Sequence, residues 1–497
     1  MRKIFTSMLS IVLVLITAFS LVACTSNSNS TSETSSNKST KFIPSKDMKK
    51  LVLVTNRFVF DADYKDVLNE FNLKLSELGK KYYLEIKVID NLPSNKKERE
   101  AETALYSKKY HQGILKMNKN NEQADILTLD CTDDSDYYFD YDYFYLNSLL
   151  KPMDKHINSD TSLKKYINDG EWTTVKRDKN IYAVPTRSIE GSGRGWMVET
   201  SVLKSSGISA EDLQAERWDI LDDSNLSDKK IHIDPQEGTK TGGLGIPQPP
   251  YCADQYYDLI TPCVGVKLDS KSPKAINIFD DEYMTKSIAS TYNMTTLENC
   301  KLSISSTYTS NSKITTADGY TTIPINDKFY DKGNVSGLGI ASWSKNEKDA
   351  YDLISLLNTN EELAMLLNYG IKDKNYTLSS DGTVEISESQ YDSYKNTYYI
   401  FSNKHILPKN NQELFTDNSK STTLSPICGF VFDYTKVKAE IDATNKLINK
   451  YKNSLFVGDG SYTELNEKFG NDLKNAGVQK IVDEANRQIS KWQKTVK

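Results

Sequence analysis

The chain has 497 residues, with 62 Lys and Arg against 67 Asp and Glu and a formal net charge of -5. This near-balance offers no basic stripe for a nucleic acid, and the length exceeds one ordinary domain of about 150 residues. With 4 histidines, all isolated, and no Cys-x-x-Cys pair, nothing calls for a zinc or redox centre, or for any cofactor.

The chain opens Met1-Arg2-Lys3, followed by an apolar run from Ile4 to Val22 and then Ala23-Cys24. A basic start, an apolar stretch and small residues before a cysteine read as a secretory signal rather than an uncleaved membrane helix. Leu21-Val22-Ala23-Cys24 resembles the lipobox of bacterial lipoproteins. That resemblance implies a signal peptide over 1–23 and a lipid, with acyl chains such as palmitate, on Cys24. One acyl chain anchors only marginally, so a diacyl group matters for stable attachment. Residues 25–40 are almost wholly Ser, Thr and Asn and cannot bury enough apolar area to fold, so 24–46 is expected to be a flexible tether.

Leu51-Val52-Leu53-Val54 has the continuous apolar character of a buried strand. Asp61 then precedes apolar Tyr64, Val67, Leu68, Phe71, Leu75 and Leu78 at helical spacing, with Gly79 as the stop. Tyr83–Ile89 is a second strand, which makes a βαβ unit with parallel strands. A charged helical segment over 97–117 leads to a third strand, Ala124–Leu129. Repeated strand–helix–strand order predicts an open α/β sheet, in which ligands gather beyond the carboxyl ends of the strands. The loops there are Asn56–Tyr64 and Cys131–Tyr138. Residues 137–145, YYFDYDYFY, hold seven aromatics; as a helix they would place some rings in the core and leave others free for contact. The acidic cluster Asp133, Asp134, Asp136, Asp140 and Asp142 lacks the glycine and terminal glutamate of a calcium loop.

Ile181–Val184 reads as a strand stopped by Pro185, and the glycines at 191, 193 and 195 let the following segment bend. We read 178–196 as a crossing between two lobes. Residues 222–335 are the least readable part; their glycines lack both phosphate-loop spacings. Beyond Val335, Leu338–Ala341 is a strand. Ser344/Glu347, Thr359/Glu362 and Ser461/Glu464 each have the spacing of a capping box, the second helix ending at Gly370. Leu465, Phe469 and Leu473 run to Gly477, and Val478, Ile481, Val482, Ala485, Ile489 and Trp492 mark a final helix. Cys252 and Cys263 are close enough in sequence to close a small disulfide loop, the alternative being free buried thiols.

Assembled, these residues resemble an extracellular solute-binding lipoprotein of an ABC importer, in the sugar- and oligosaccharide-binding class. Four passages carry the resemblance. They are the lipobox; Asp178–Pro185, against the family's "dGkiYgvP" with Asn180 in place of its glycine; Gly339–Asn346 with its helix pair through Ile371; and Ser425-Pro426, Gly429–Asp433 and Leu473–Gly477. The last two resemble a longer subgroup with its own C-terminal domain. The resemblance implies an α/β, two-lobed fold of the type II periplasmic-binding-protein kind, with a cleft between hinged lobes. Lobe 1 would hold 47–187 and 335–385, and lobe 2 would hold 195–325 and 400–497, with crossings near 186–195, 325–335 and 380–400. It maps ligand contacts onto Arg57, Asp61 and Asp63, onto Asp133, Asp134 and Tyr137, and onto Arg187 and Glu190. Trp196 is a candidate for stacking on a sugar face or for core packing, Arg187 for a ligand contact or a hinge salt bridge, and Trp172 and Trp343 for structural roles. The function implied is capture of an oligosaccharide and delivery to permease subunits, by a monomer lipid-anchored on the extracellular face of a Gram-positive cell membrane, without enzymatic activity. A peptide or other solute is the alternative cargo. A secreted glycoside hydrolase would need two carboxyls set across a bound sugar, and a surface adhesin would bind no small molecule.

Overall fold

The computed structural model describes residues 41–56, 64–89, 96–129, 140–187, 189, 195–199, 209–214, 233–234, 257–281, 302–303, 316–317, 320–324, 329–386, 401–409, 422–456 and 462–496, some of them, Trp196 included, by backbone alone. Strands β1 (Lys49–Thr55), β2 (Tyr82–Val88) and β3 (Ile126–Leu129) run parallel, with Leu53 opposite both Ile86 and Ile126. Residues Leu51–Thr55 of β1 and all of β3 are buried, as expected where helices cover both faces of a parallel sheet. Helix α1 (Tyr64–Glu77) buries Val67, Phe71 and Leu75, and Gly79 closes its end at φ +72°. Leu78, expected in that stripe, is instead 45% exposed, because the helix has already ended at Glu77. Helix α2 (Lys96–Lys119) places Tyr110, Ile114 and Met117 in the core.

Helix α3 (Asp140–Leu146) forms within the aromatic run and buries Tyr141 and Phe144. Helix α4 (Asp169–Thr174) starts with a capping box: the Asn168 side chain accepts from the Glu171 amide at 3.0 Å, and Glu171 accepts from the Asn168 amide at 2.9 Å. The run expected as one strand over 181–184 is divided. Strands β4 (Lys176–Arg177) and β5 (Asn180–Ile181) form a hairpin, and β6 (Val184–Pro185) joins the main sheet. The left-handed residue of the hairpin turn is Asp178, at φ +53°, rather than Asn180; a two-residue turn needs positive φ at its first central position. Pro185 fits because β6 is the edge strand, where its missing N–H goes unused.

The chain then builds β7 (Gly195–Glu199), β8 (Ile233–Asp234), β9 (Tyr257–Thr261), β10 (Val264–Lys267), β11 (Ala275–Asn277), β12 (Leu302–Ser303), β13 (Thr316–Ala317), β14 (Tyr320–Pro324), β15 (Phe329–Asp331) and β16 (Gly337–Ile340). Helices α5 (Glu347–Leu357) and α6 (Glu361–Tyr369), strand β17 (Thr422–Leu424) and helices α7 (Lys438–Phe456), α8 (Tyr462–Ala476) and α9 (Val478–Val496) follow. The main sheet has the order β2-β1-β3-β16-β6, with β16 antiparallel to both neighbours. Its Gly337 is required by close approach, since a Cβ there would lie 2.6 Å from the Val184 carbonyl oxygen. A second sheet has the order β13-β14-β7-β12-β8, a third is the meander β11-β10-β9, and β15 pairs in parallel with β17.

Two of the expected capping boxes are replaced. Glu347 is held by Lys151 at 3.0 Å and His156 at 3.1 Å, and the Ser344 hydroxyl donates to Asp125 at 2.6 Å, so neither closes a box on α5. Helix α6 is capped by Asn360, which accepts from the Leu363 amide at 3.0 Å; the Thr359 hydroxyl donates back to Ser355. Ser461 lies outside the described residues. Trp172 is in the core and the Trp343 indole donates to the Glu122 carbonyl at 2.7 Å. Cys263 is a buried free thiol, and Cys252 is not among the described residues.

Two apolar cores result. The first joins residues from 51–184 with residues from 335–407, and the second joins 257–279 with 427–489. Phe401, Ile406 and Leu407 pack in the first core, so residues 401–409, expected in the second lobe, belong with the first. The return to the second core falls after Lys409 and not at 380–400.

Candidate functional site

β1, β2, β3 and β6 all point the same way, so Thr55, Val88, Leu129 and Pro185 end along one edge of the main sheet, where β16 begins at Gly337. The loops expected to hold ligand leave from this edge. Of the residues mapped onto them, Arg57, Asp61, Asp63, Asp133, Asp134, Tyr137 and Glu190 lie outside the described residues, as does Cys24. Trp196 is described by its backbone, paired with Ile323 in the second sheet.

The supports of that edge are described. Asn56 is buried directly after β1. The Tyr110 phenol lies 3.0 Å from the Val54 carbonyl and 2.9 Å from that of Thr128, tying α2 to two adjacent strand ends. His111 Nε2 stands 2.8 Å from Asp140 Oδ1, and its ring stacks on Tyr143 with centroids 4.0 Å apart. These contacts fix the start of α3 immediately after the acidic-aromatic loop.

Arg187 is the one mapped residue whose side chain is described. It sits where β6 leaves the sheet and reaches 144 residues along the chain to Asp331 at 3.1 Å, with the Asn334 carbonyl at 3.4 Å. The Asp331 side chain is 1% exposed and also accepts from the Gly333 amide at 2.7 Å. The Thr186 amide donates to the Ser336 carbonyl at 2.8 Å. Arg187 therefore ties the first crossing to the second.

Beside this clamp the two cores flank a partly open cavity of about 130 Å³ of mixed lining, whose polar groups include Tyr141, Asp142 and Arg177 from one side and Asp258 and Lys332 from the other. Arg177 is buried, its Nη2 2.8 Å from Asp142, and its guanidinium stacks 4.5 Å over the Tyr141 ring. Burial pushes its pKa down most strongly of any single cause, but the Asp142 carboxylate together with Tyr141 and Cys428 outweighs it and holds the group above its ordinary value. Asp258 accepts from the Ser425 hydroxyl at 2.5 Å; burial raises its pKa, against the pull of Lys332. Burial likewise pushes the Cys428 thiol up to about 12, against the pull of Arg177. Sequence reasoning missed Arg177, Asp142, Asp258, Asp331 and Ser425, because no local spacing marks a partner 167 residues away, as Ser425 is from Asp258. Among the described residues, no group of three or more His, Cys, Asp or Glu is placed to hold a metal ion, and no helix is long and apolar enough to cross a membrane.

The arrangement is two packed cores joined by polar contacts between the crossings, with four strand ends aligned at one end of the main sheet. That is the fold of the two-domain solute-binding proteins. The chain is similar over 91% of its length, and over 99% of the other chain, to the crystal structure of the N-glycan transport solute binding protein NgtS from Streptococcus pneumoniae, with a TM-score of 0.60 and 17% identity. For NgtS in complex with Man1GlcNAc the TM-score is 0.52, with 16% identity and coverage of 90% and 99%. At these identities the likeness establishes the fold. A family model described as a domain of unknown function (DUF3502) matches residues 426–494. A carbohydrate ABC transporter substrate-binding protein of Streptococcus pneumoniae serotype 4 (strain ATCC BAA-334 / TIGR4) is 28% identical over 186 residues, covering 33% of this chain. The match spans 35% of that relative's length, about a third.

Proposed function

We propose that this protein captures an oligosaccharide between its two lobes and delivers it to the permease subunits of an ABC importer, held at the extracellular face of the membrane by a lipid on Cys24. The observation that carries the reading is the agreement between a sequence likeness and a fold likeness. The partial sequence match is to a substrate-binding protein of a carbohydrate importer, and the fold match is to a glycan-binding one. The architecture supports it physically: two packed cores are joined by more than one chain crossing, so a solute that touches both lobes would select the closed arrangement. Sequence supplies the complementary chemistry, since phenol rings suit the apolar faces of sugars and carboxylates accept from their hydroxyls.

The test is a thermal-shift panel containing Man1GlcNAc, other oligosaccharides and short peptides. Binding to the folded state alone raises stability by about 2.7 kcal/mol at a hundredfold excess of ligand over Kd. Stabilisation by one or more oligosaccharides is expected, and stabilisation by peptides alone would reassign the cargo.

A further inference from the structure

We infer that the C-terminal end of α9 and the turn of the β4–β5 hairpin form a breakable latch between the two cores, separate from the Arg187–Asp331 clamp, that biases how the lobes are set.

Each half of the contact is anchored in its own core. Helix α9 buries Val478, Ile481, Val482, Ala485 and Ile489 in the second core. The hairpin is fastened to the first core by buried Val175 and Ile181 and by the Arg177–Asp142 pair. Their tips meet where the Thr495 hydroxyl reaches Asp178 Oδ1 at 3.3 Å, while Asp178 Oδ2 accepts from the Tyr145 phenol at 2.9 Å.

Two features make this contact switchable. The Thr495 hydroxyl is also 2.7 Å from the Trp492 carbonyl of its own helix. A hydroxyl has one proton, and carboxylate and carbonyl are both acceptors, so Thr495 donates to one or the other. When the cores separate here, the proton passes to a partner already in place and Asp178 keeps its bond from Tyr145, so opening costs the one hydrogen bond between Thr495 and Asp178. The second feature is a cleft. A space of about 280 Å³, open to solvent, lies beside the contact, lined by Tyr145, Leu146 and Asp178 of the first core and by Phe430, Gln488 and Trp492 of the second. Close-packed interiors resist displacement, and a boundary opened by a cleft resists it less.

The latch stands on these contacts alone; its effect on affinity rests on the carbohydrate-capture reading. The test compares the full chain with Thr495→Val, which removes the hydroxyl, and Thr495→Arg, which gives Asp178 a charged partner. Spin labels on keto amino acids at Lys65 and Lys468 report the distance between the cores without ligand, by double electron–electron resonance. Titration with Man1GlcNAc reports affinity, and melting temperature reports folding. The expected result is that the two variants shift the distance distribution in opposite senses and move the Kd in opposite directions, each by about two- to tenfold, the range of one hydrogen bond, at unchanged melting temperature. Identical distributions in all three proteins overturn the latch, as do affinity changes of the same sign that track melting temperature. Opposed distance shifts with no Man1GlcNAc binding, even by the unsubstituted chain, support the latch and count against that sugar as cargo.

Discussion

Arg187 and Asp258 are charged side chains placed where a sequence shows no partner for either. Arg187→Gln would leave the Asp331 carboxylate inside without that guanidinium. A hydrogen bond to a charged group contributes about 1.5–3 kcal/mol, so urea denaturation should show a loss of up to that size, with Arg187→Lys recovering part of it. A ligand-contact role would instead lower affinity and leave stability untouched. Asp258 carries a pH signature of known sign. Burial raises its folded pKa above the unfolded value, so the folded state binds the proton first as pH falls. Stability lost to this group is therefore present above the folded pKa and regained on acidification towards the unfolded one. Asp258→Asn keeps an acceptor for Ser425 and removes the charge; its melting temperature should exceed that of the wild type at pH 7, with the gap closing towards pH 4. A constant gap across that range would show that charge is not the cause.

Helix boundaries depend on individual hydrogen bonds, and there spacing rules went astray. Ser-x-x-Glu and Thr-x-x-Glu spacings pointed to the starts of α5 and α6, but Glu347 is claimed by Lys151 and His156, and Asn360 rather than Thr359 caps α6. Asn360→Ala should cost about 1 kcal/mol, the usual worth of an N-cap, and Thr359→Ala distinctly less, by chemical denaturation. Periodic elements were readable: β1, α1, β2, α2 and β3 lie where their apolar patterns put them, and so do α8 and α9 about Gly477 (φ +94°). Helix α7 was overlooked although Val437, Ile441, Ile448 and Tyr451 are buried at helical spacing, because buried Thr444 interrupts the apolar stripe. The β9–β11 meander was overlooked because its short strands are specified by pairing with one another and by packing under α9, and barely by local pattern.

For the molecule as a whole, the two-lobed fold and the places of the first two crossings could be expected from the resemblance, while the ion pair and hydrogen bond that fasten them could not. Asp258–Ser425 and Arg187–Asp331 arise only when segments more than a hundred residues apart are folded against each other. At this scale the proposed anchor is also testable. Cys24→Ala should move the protein from the membrane fraction to the soluble fraction with Man1GlcNAc binding unchanged; retention on the membrane would exclude lipidation of Cys24 as the anchor.

The order of strands in the main sheet sets a timetable. Strand β3 is complete at Leu129, yet its neighbour on one side is β16, which begins at Gly337. At synthesis rates of about 5–20 residues per second, that neighbour arrives roughly ten to forty seconds later. Until then β3 presents an open hydrogen-bonding edge of apolar residues, the kind that pairs with other chains. Shielding of that edge while residues 130–336 are made would therefore favour folding over aggregation.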